Sequence, residues 1–397
     1  MIFNSISFFI FFVIVFLIYY FQLKDKTKSQ NWLLLLSSYF FYGFTDLKMI
    51  LILLVTTIIV FILGREIHNT NNSKKSSLLT TFGVLTGVGL LLYFKYFNFF
   101  IDSFSSILNA IGLKPNIGTF NIIMPLGISF FTFKLISYVI EIHRGKIEYC
   151  RDFVLFSTYI AFFPTILSGP IDKPNTFIPQ LQKKRSFDYI LVTDGCRQIL
   201  WGLFQKLVIA DNLAEVINNT WNDIPNQTGG ILFITAILYS FQMYTDFSGY
   251  SHMAIGIGKT LGFRITKNFN YPYFSRNVAE FWRNWHISLT SWLTEYVFMP
   301  LNIKFRNFGN FGIILAIIIN MVVVGIWHGA NWTFAVFGLY HGLLFIPLIL
   351  SGSFFKKKKL KTNKYGLPSF NDLLKMIKTF LFISIGLIIF RADNIYQ

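Results

Sequence analysis

The chain returns repeatedly to apolar stretches that approach the length of a bilayer crossing, about 20 residues as an α-helix. They cover residues 6–21, 32–44, 49–63, 78–93, 230–250, 311–327, 332–350 and 373–390. Inside lipid every backbone N–H and C=O must find a partner within the protein, which restricts spanning structures to helices and closed barrels. Apolar runs of this length read as helices. The composition agrees, because 54% of residues are hydrophobic and only 13% charged, where soluble domains carry about 25% charged residues. The expected fold class is an all-α polytopic membrane protein with roughly ten membrane segments.

The net charge of +17 would point to nucleic acid in a soluble protein. Here the basic residues collect in short loops between apolar runs, which is the positive-inside pattern. Lys24, Lys26 and Lys28 follow the first run, and Arg65, Lys74 and Lys75 follow the third. The loops that alternate with these are nearly neutral; the stretch after the fourth run has few charges, Asp102 and Lys114 among them. The N-terminus is therefore expected outside, with the Lys24 and Lys74 loops in the cytoplasm. The run of four lysines at 356–359 reads as a cytoplasmic loop beside anionic lipid. No nucleic-acid-binding motif accompanies the charge, and nucleic acid is not an expected partner. Cys150 and Cys196 have neither disulfide-framework nor metal-site spacing and read as packing residues, so no metal site is expected. The first run has no preceding charge and no small-residue cleavage site, so it reads as a retained span.

The middle of the chain is broken. Pro125-Leu126-Gly127-Ile128-Ser129 interrupts one apolar stretch, and Pro164 with Ser168-Gly169-Pro170 interrupts the next. Non-helical backbone at membrane depth is tolerated only inside protein or around a wet cavity. Each break reads either as a broken or re-entrant helix beside a buried site or as an ordinary kink. Residues 251–306 contain no clean apolar run and mix aromatic, basic and polar types. Short amphipathic helices in the membrane interface fit them better than spans. No inverted repeat is visible, which argues against a secondary transporter.

Ionisable residues at membrane depth are costly and mark functional sites. Two histidines stand out. His286 lies in Phe281-Trp282-Arg283-Asn284-Trp285-His286-Ile287-Ser288-Leu289, and His328 lies in Gly325-Ile326-Trp327-His328-Gly329 at the end of a long apolar run. The small neighbours of His328 are expected to leave room for another molecule beside the imidazole. Taken alone, each histidine has a second reading: His328 as an interhelical hydrogen-bonding group, and the His286 segment as an interfacial anchor. His341 is a further candidate for lining the same cavity, with a packing role as the alternative. Asp246, a carboxylate among aromatics, either orients a histidine or bonds a backbone turn. Trp282, Arg283, Trp285 and Trp327 complete the set of candidate substrate or tunnel residues.

Several motifs are absent. There is no G-x-S-x-G nucleophile elbow and no H-E-x-x-H zinc site. Gly256-Ile257-Gly258-Lys259-Thr260 resembles the end of a phosphate-binding loop, but Met253 stands where the first glycine is needed. No histidine is followed four or five residues later by aspartate, which removes the soluble glycerolipid acyltransferase pattern.

Taken together, these segments resemble the membrane-bound O-acyltransferase family, in particular its bacterial alginate and peptidoglycan O-acetyltransferase branch, related to the D-alanyl transfer protein of teichoic acid modification. The resemblance is carried by Met124–Phe133, Ser168-Gly169-Pro170-Ile171, Gly202-Leu203-Phe204-Gln205-Lys206, Asp246-Phe247-Ser248-Gly249-Tyr250-Ser251, Asn268-Phe269-Asn270-Tyr271-Pro272-Tyr273 and, most specifically, the two histidine segments. It implies helices around a thin centre crossed by a tunnel. It implies His328 as the catalytic histidine and His286 as the second functional position. It also implies no bound cofactor but an acyl thioester donor such as acetyl-CoA on the cytoplasmic side of a bacterial inner membrane. The acceptor would be a polysaccharide hydroxyl, as in alginate biosynthesis, or a periplasmic or extracellular acetyltransferase partner; D-alanyl transfer and an acyl or glycan transporter are the alternatives. The chain departs from the branch at Asn284, where a second basic residue is usual, and at Thr294-Glu295-Tyr296, where Arg-Asp-Tyr is more common. Residues 1–397 read as one such domain. After Phe390-Arg391-Ala392-Asp393 the longer polysaccharide acetyltransferases continue with further helices, so a C-terminally shortened form is expected.

Overall fold

The computed structural model describes residues 1–44, 46–113, 120, 122–356, 360 and 362–395. Lys114, three lysines of the basic run (residues 357–359) and Gln397 lie outside the described residues. Secondary structure among the described residues is helical apart from one isolated bridge between Thr362 and Pro368. Five helical stretches are long and apolar enough to cross a membrane: Lys48–Asn69, Ser73–Ala110, Arg306–His328, Trp332–Leu350 and Phe370–Arg391. A shorter apolar helical stretch covers Ile6–Gln22. The remaining helices are shorter or more polar than these.

The chain packs as two compact units. The first comprises Met1–Leu203 and Tyr250–Thr266. It contains α1 (Ile6–Leu17), α2 (Thr27–Gly43), α3 (Lys48–Asn69), α4 (Ser73–Leu91), α5 (Phe97–Ala110), α6 (Ile128–His143), α7 (Phe153–Ala161), α8 (Pro174–Gln182) and α9 (Tyr189–Leu203). Capping fixes where several of these begin. Ser5, Asn72 and Asp152 each accept from backbone N–H groups of the first turn that follows, satisfying donors a helix start leaves unpaired.

Both expected breaks fall in this unit, and both are helix ends rather than kinks. Gly127 has φ +70° and sits so close to Ile166 that a Cβ would lie 2.2 Å from its carbonyl oxygen, so only glycine fits. Helix α7 stops at Ala161, and the buried non-helical segment that follows includes Phe162, Phe163 and Ile166. The carbonyls freed there need partners. The buried Lys134 of α6 is that partner, donating from Nζ to Tyr159 O at 3.1 Å and Ile160 O at 3.4 Å, and also to the Thr165 hydroxyl at 3.0 Å. One break thus packs on the other, with a lysine closing the polar account.

The second unit comprises Phe204–Gly249 and Lys267–Gln397. Its helices are α10 (Asp211–Trp221), α11 (Gly229–Thr260, which continues into the first unit), α12 (Val278–Asn284), α13 (Ile287–Leu293), α14 (Met299–Lys304), α15 (Gly309–His328), α16 (Trp332–Leu343), α17 (Ile346–Leu350) and α18 (Phe370–Arg391). Helix α11 runs ten residues past the end expected at Tyr250. Ser251–Thr260 looks unlike a span because it is polar and glycine-rich, but Gly256 fits it closely against Gly195 of α9, where a Cβ would lie 2.7 Å from the Gly195 carbonyl oxygen. Of residues 251–306, where short interfacial helices are expected, the later part does form the short helices α12, α13 and α14, and α12 and α13 bury Phe281, Trp282, Leu289 and Trp292 within the protein.

Helices α15 and α16 form the tightest pair in this unit. A Cβ at Gly325 would lie 2.0 Å from Phe334 O, and one at Gly338 would lie 2.3 Å from Met321 O. Small residues let membrane helices approach to backbone contact. Helix α18 packs on α16 and is joined to α11 by the Ser240 Oγ to Ser384 Oγ hydrogen bond at 2.9 Å.

Candidate active site

His286 and His328 both belong to the second unit. His286 sits between α12 and α13 with φ +43° and ψ +53°. A non-glycine residue in this left-handed region is uncommon, and such strain concentrates at functional sites. It lets α12 end and α13 begin in a new direction within two residues. The side chain is fully buried. Its ring meets Phe247 of α11 edge-on at 4.6 Å and Trp327 of α15 at 5.8 Å between centroids.

The anchor of this turn is Asn268. Its carbonyl accepts from Ile287 N at 2.8 Å. Its side-chain Oδ1 accepts from Ser288 N at 3.3 Å and Ser288 Oγ at 2.9 Å, and lies 3.1 Å from His286 Nδ1. His286 itself gives α13 no side-chain cap, so Asn268 caps the first turn of that helix from a distant segment. The other ring nitrogen, His286 Nε2, is buried without a protein hydrogen-bond partner among the described residues. His286 lies outside the membrane-spanning stretches. Burial holds its imidazole well below the ordinary histidine range, and charge on the neighbouring His328 pushes the same way.

His328 is the last residue of α15 and is half-buried. It contacts Trp327 at 4.9 Å, Phe337 of α16 at 6.2 Å and Phe390 of α18 at 5.1 Å, all edge-on. The two histidines therefore flank one indole, that of Trp327. The space beside the glycines around His328 is filled by α16, contrary to expectation. Phe334 O covers Gly325, and the Phe334 ring lies where a Gly329 Cβ would be, 2.1 Å away. Those glycines serve helix–helix contact, because close packing of α15 on α16 needs backbone without side chains.

The other candidates separate into four places. Trp282 and His341 are both buried, with the Trp282 indole N–H donating to His341 Nδ1 at 3.3 Å. Trp285 is buried in an aromatic cluster, stacked on Phe281 at 5.4 Å and edge-on to Phe269 at 5.1 Å. Arg283 and Asn284 face a cavity of about 590 Å³ that is also lined by Arg276, Glu280, Lys356 and Lys375. Asp246 pairs with Lys206 at 2.9 Å, and Lys206 also holds Asp211 at 2.8 Å. The roles of the Asn268 and Lys206 side chains are not visible in the sequence, although both lie in segments that carry the family resemblance. Hydrogen bonds across 18 and 40 residues leave no periodic trace.

A family model described as "MBOAT, membrane-bound O-acyltransferase family" matches residues 7–388. The chain belongs to the membrane-bound O-acyltransferase family. Among similar proteins, the "Probable alginate O-acetylase AlgI" of Azotobacter vinelandii is 36% identical over 319 residues, covering 79% of this chain and 60% of that protein. The "Peptidoglycan O-acetyltransferase" of Helicobacter pylori is 31% identical over 366 residues, covering 83% and 65%. The "Teichoic acid D-alanyltransferase" of Streptococcus thermophilus is 33% identical over 278 residues, covering 66% and 65%. The chain thus spans less than two thirds of the length of each of these relatives. In family terms, both histidine segments, the Asn268 turn and the basic cavity fall within the matched region.

Proposed function

We propose that this chain is an O-acyltransferase that moves an acyl group, acetyl in the first instance, from a cytoplasmic thioester to a hydroxyl on the outer side of a bacterial inner membrane. The observation that carries the reading is the pair of imidazoles flanking Trp327, one fully buried and one half-buried, inside a family defined by O-acyl transfer. The acceptor is a polysaccharide hydroxyl or a relay hydroxyl on an extracytoplasmic partner protein. The orientation has its N-terminus outside, which puts the Lys24 and Lys74 loops against the anionic inner leaflet.

In this reading His328 acts as general base. It takes the proton of the acceptor hydroxyl as the oxygen attacks the thioester carbonyl. The C–O bond forms, the C–S bond breaks, and the departing sulfur carries off the electron pair and recovers a proton from the imidazolium. Half-burial suits His328, because it leaves the ring reachable by an incoming substrate. His286 orients one of the two partners. Arg283, on the wall of the basic cavity, holds the anionic part of the donor, acetyl-CoA or another acyl thioester, which is a substrate and not a resident cofactor.

D-alanyl transfer is the second reading, favoured by the likeness to the Streptococcus thermophilus protein. Purified protein supplied with labelled acetyl or D-alanyl thioester, with candidate glycans or partner hydroxyls, separates the two. General-base catalysis contributes about 10²–10⁴-fold, so H328A is expected to lose at least that much transfer while its melting profile stays near wild type. Transfer at the wild-type rate in H328A removes His328 from the role.

A further inference from the structure

We propose that Asn268 is a positioning residue that locks His286 in the Nδ1–H tautomer, so that His286 presents a lone pair at Nε2 and orients the hydroxyl acceptor rather than the thioester carbonyl. This rests on the acyl-transfer reading for its chemistry, although the tautomer itself does not.

The Asn268 amide faces the histidine with its oxygen. A backbone N–H can only donate, and Ser288 N–H points at the Asn268 side chain at 3.3 Å. The atom it meets must be the carbonyl oxygen; the amide nitrogen has no acceptor capacity. The same oxygen lies 3.1 Å from His286 Nδ1. An amide oxygen has no proton to give, so this contact is a hydrogen bond only when Nδ1 carries the hydrogen. In a neutral imidazole the other nitrogen is then an acceptor. That nitrogen, Nε2, is the one buried without a protein partner among the described residues.

The consequence is a division of labour. A developing oxyanion on the thioester carbonyl needs a donor, and a neutral Nδ1–H histidine offers none at Nε2. A hydroxyl brings its own proton and can donate to that lone pair. His286 therefore belongs to the acceptor side of the reaction, where it aims the hydroxyl, and His328 removes the proton. Among the described residues, His328 is the titratable group that acts on His286. Phe247 from α11, Trp327 from α15, and Asn268 and Ser288 carry no charge, so the tautomer is set by the asparagine.

The test combines a spectrum with a pH profile, on full-length protein in detergent or nanodiscs. With histidine rings labelled with ¹⁵N, the imidazole resonances lost in H286N identify His286 in wild type. The expected pattern has the proton on Nδ1, and N268L loses that exclusive placement. A wild-type His286 protonated at Nε2 overturns the proposal whatever the activity. Acyl transfer is expected to fall about 10²–10⁴-fold in N268L, the range of a lost acid–base alignment; unchanged transfer in a folded N268L overturns the positioning role. If N268L does not fold, N268D decides. Its carboxylate still accepts from Nδ1–H, and its charge favours the imidazolium, so the acidic limb of kcat/KM moves to higher pH. A purely structural asparagine gives restored folding with an unmoved limb, which also overturns the proposal. An Nδ1–H signal in a protein that acylates nothing leaves the tautomer standing and removes the acyl-transfer reading instead.

Discussion

The indole N–H of Trp282 donates to Nδ1 of His341 at 3.3 Å, and the far edge of that imidazole abuts Gly386, where a Cβ would lie 2.4 Å from Nε2. Three elements, α12, α16 and α18, are thereby keyed together through Trp282, four residues before His286. Adding a methyl group at Gly386 has no free volume to enter. Overpacking a close-packed interior typically costs about 1–3 kcal/mol. G386A is expected to lose that much stability, read as a lower melting temperature, and to lose acyl transfer as α12 shifts. H341A in the G386A background restores part of the stability, because the two residues contact each other and their effects do not add. Strictly additive losses in the double-mutant cycle rule this coupling out.

Helices α15 and α16 yield a second test, because their contact is backbone on backbone. A Cβ at Gly338 would meet Met321 O at 2.3 Å, and a carbonyl oxygen in a helix cannot swing aside as a side chain would. G338A must separate the helices, and α15 carries His328 at its end. Transfer is expected to fall at least about tenfold, equivalent to about 1.4 kcal/mol of misalignment. Gly89 of α4 is the control, since nothing lies within 4 Å of a Cβ built there. G89A leaves activity unchanged and adds a few tenths to about 1 kcal/mol of stability, the usual gain of alanine over glycine in a helix. Equal behaviour of the two variants contradicts the backbone-contact account.

These contacts show what a sequence of this kind reveals and what it conceals. Apolar runs expose the spans because bilayer thickness sets their length, and the breaks at Gly127 and Pro164 are readable because proline and glycine act locally. His286 and His328 are legible through their aromatic frames. Asn268 is not, since its importance arises when residues 268–270 pair with residues 284–288, a tertiary event with no local signature. The glycines around His328 mislead for a related reason. Small residues look like open space in one dimension, and only the partner helix reveals that Phe334 fills it. Asp246 is ambiguous in sequence because its partner Lys206 lies 40 positions earlier.

The basic cavity makes a prediction about the donor. Two of its cations are neutralised locally, Arg276 by Glu280 at 2.9 Å and Lys375 by Asp372 at 3.4 Å. Arg283 makes no ion pair among the described residues and is left to meet an anion. A hydrogen bond to a charged group is worth about 1.5–3 kcal/mol, so R283Q is expected to raise KM for an anionic thioester about tenfold or more. The value of kcat stays within a few-fold, and the KM difference from wild type shrinks at high salt as screening grows. A kcat defect with unchanged KM places Arg283 in a different role.

Burial of His286 predicts how acid acts on the fold. An unfolded histidine titrates near 6.5, whereas this one is held well below that value, first by desolvation and then by His328. Below about pH 6.5 the unfolded chain binds a proton that the folded protein refuses, so stability falls as pH falls and is flat above that point. The slope is at most about 1.4 kcal/mol per pH unit for one group. Asparagine tolerates the left-handed backbone that position 286 requires and does not titrate. H286N should therefore retain the fold near pH 7.5 and lose less stability than wild type between pH 6.5 and 5. Thermal melts of the detergent-solubilised protein at a series of pH values read this directly. Parallel wild-type and H286N curves would mean that His286 is not the group whose proton uptake opposes folding.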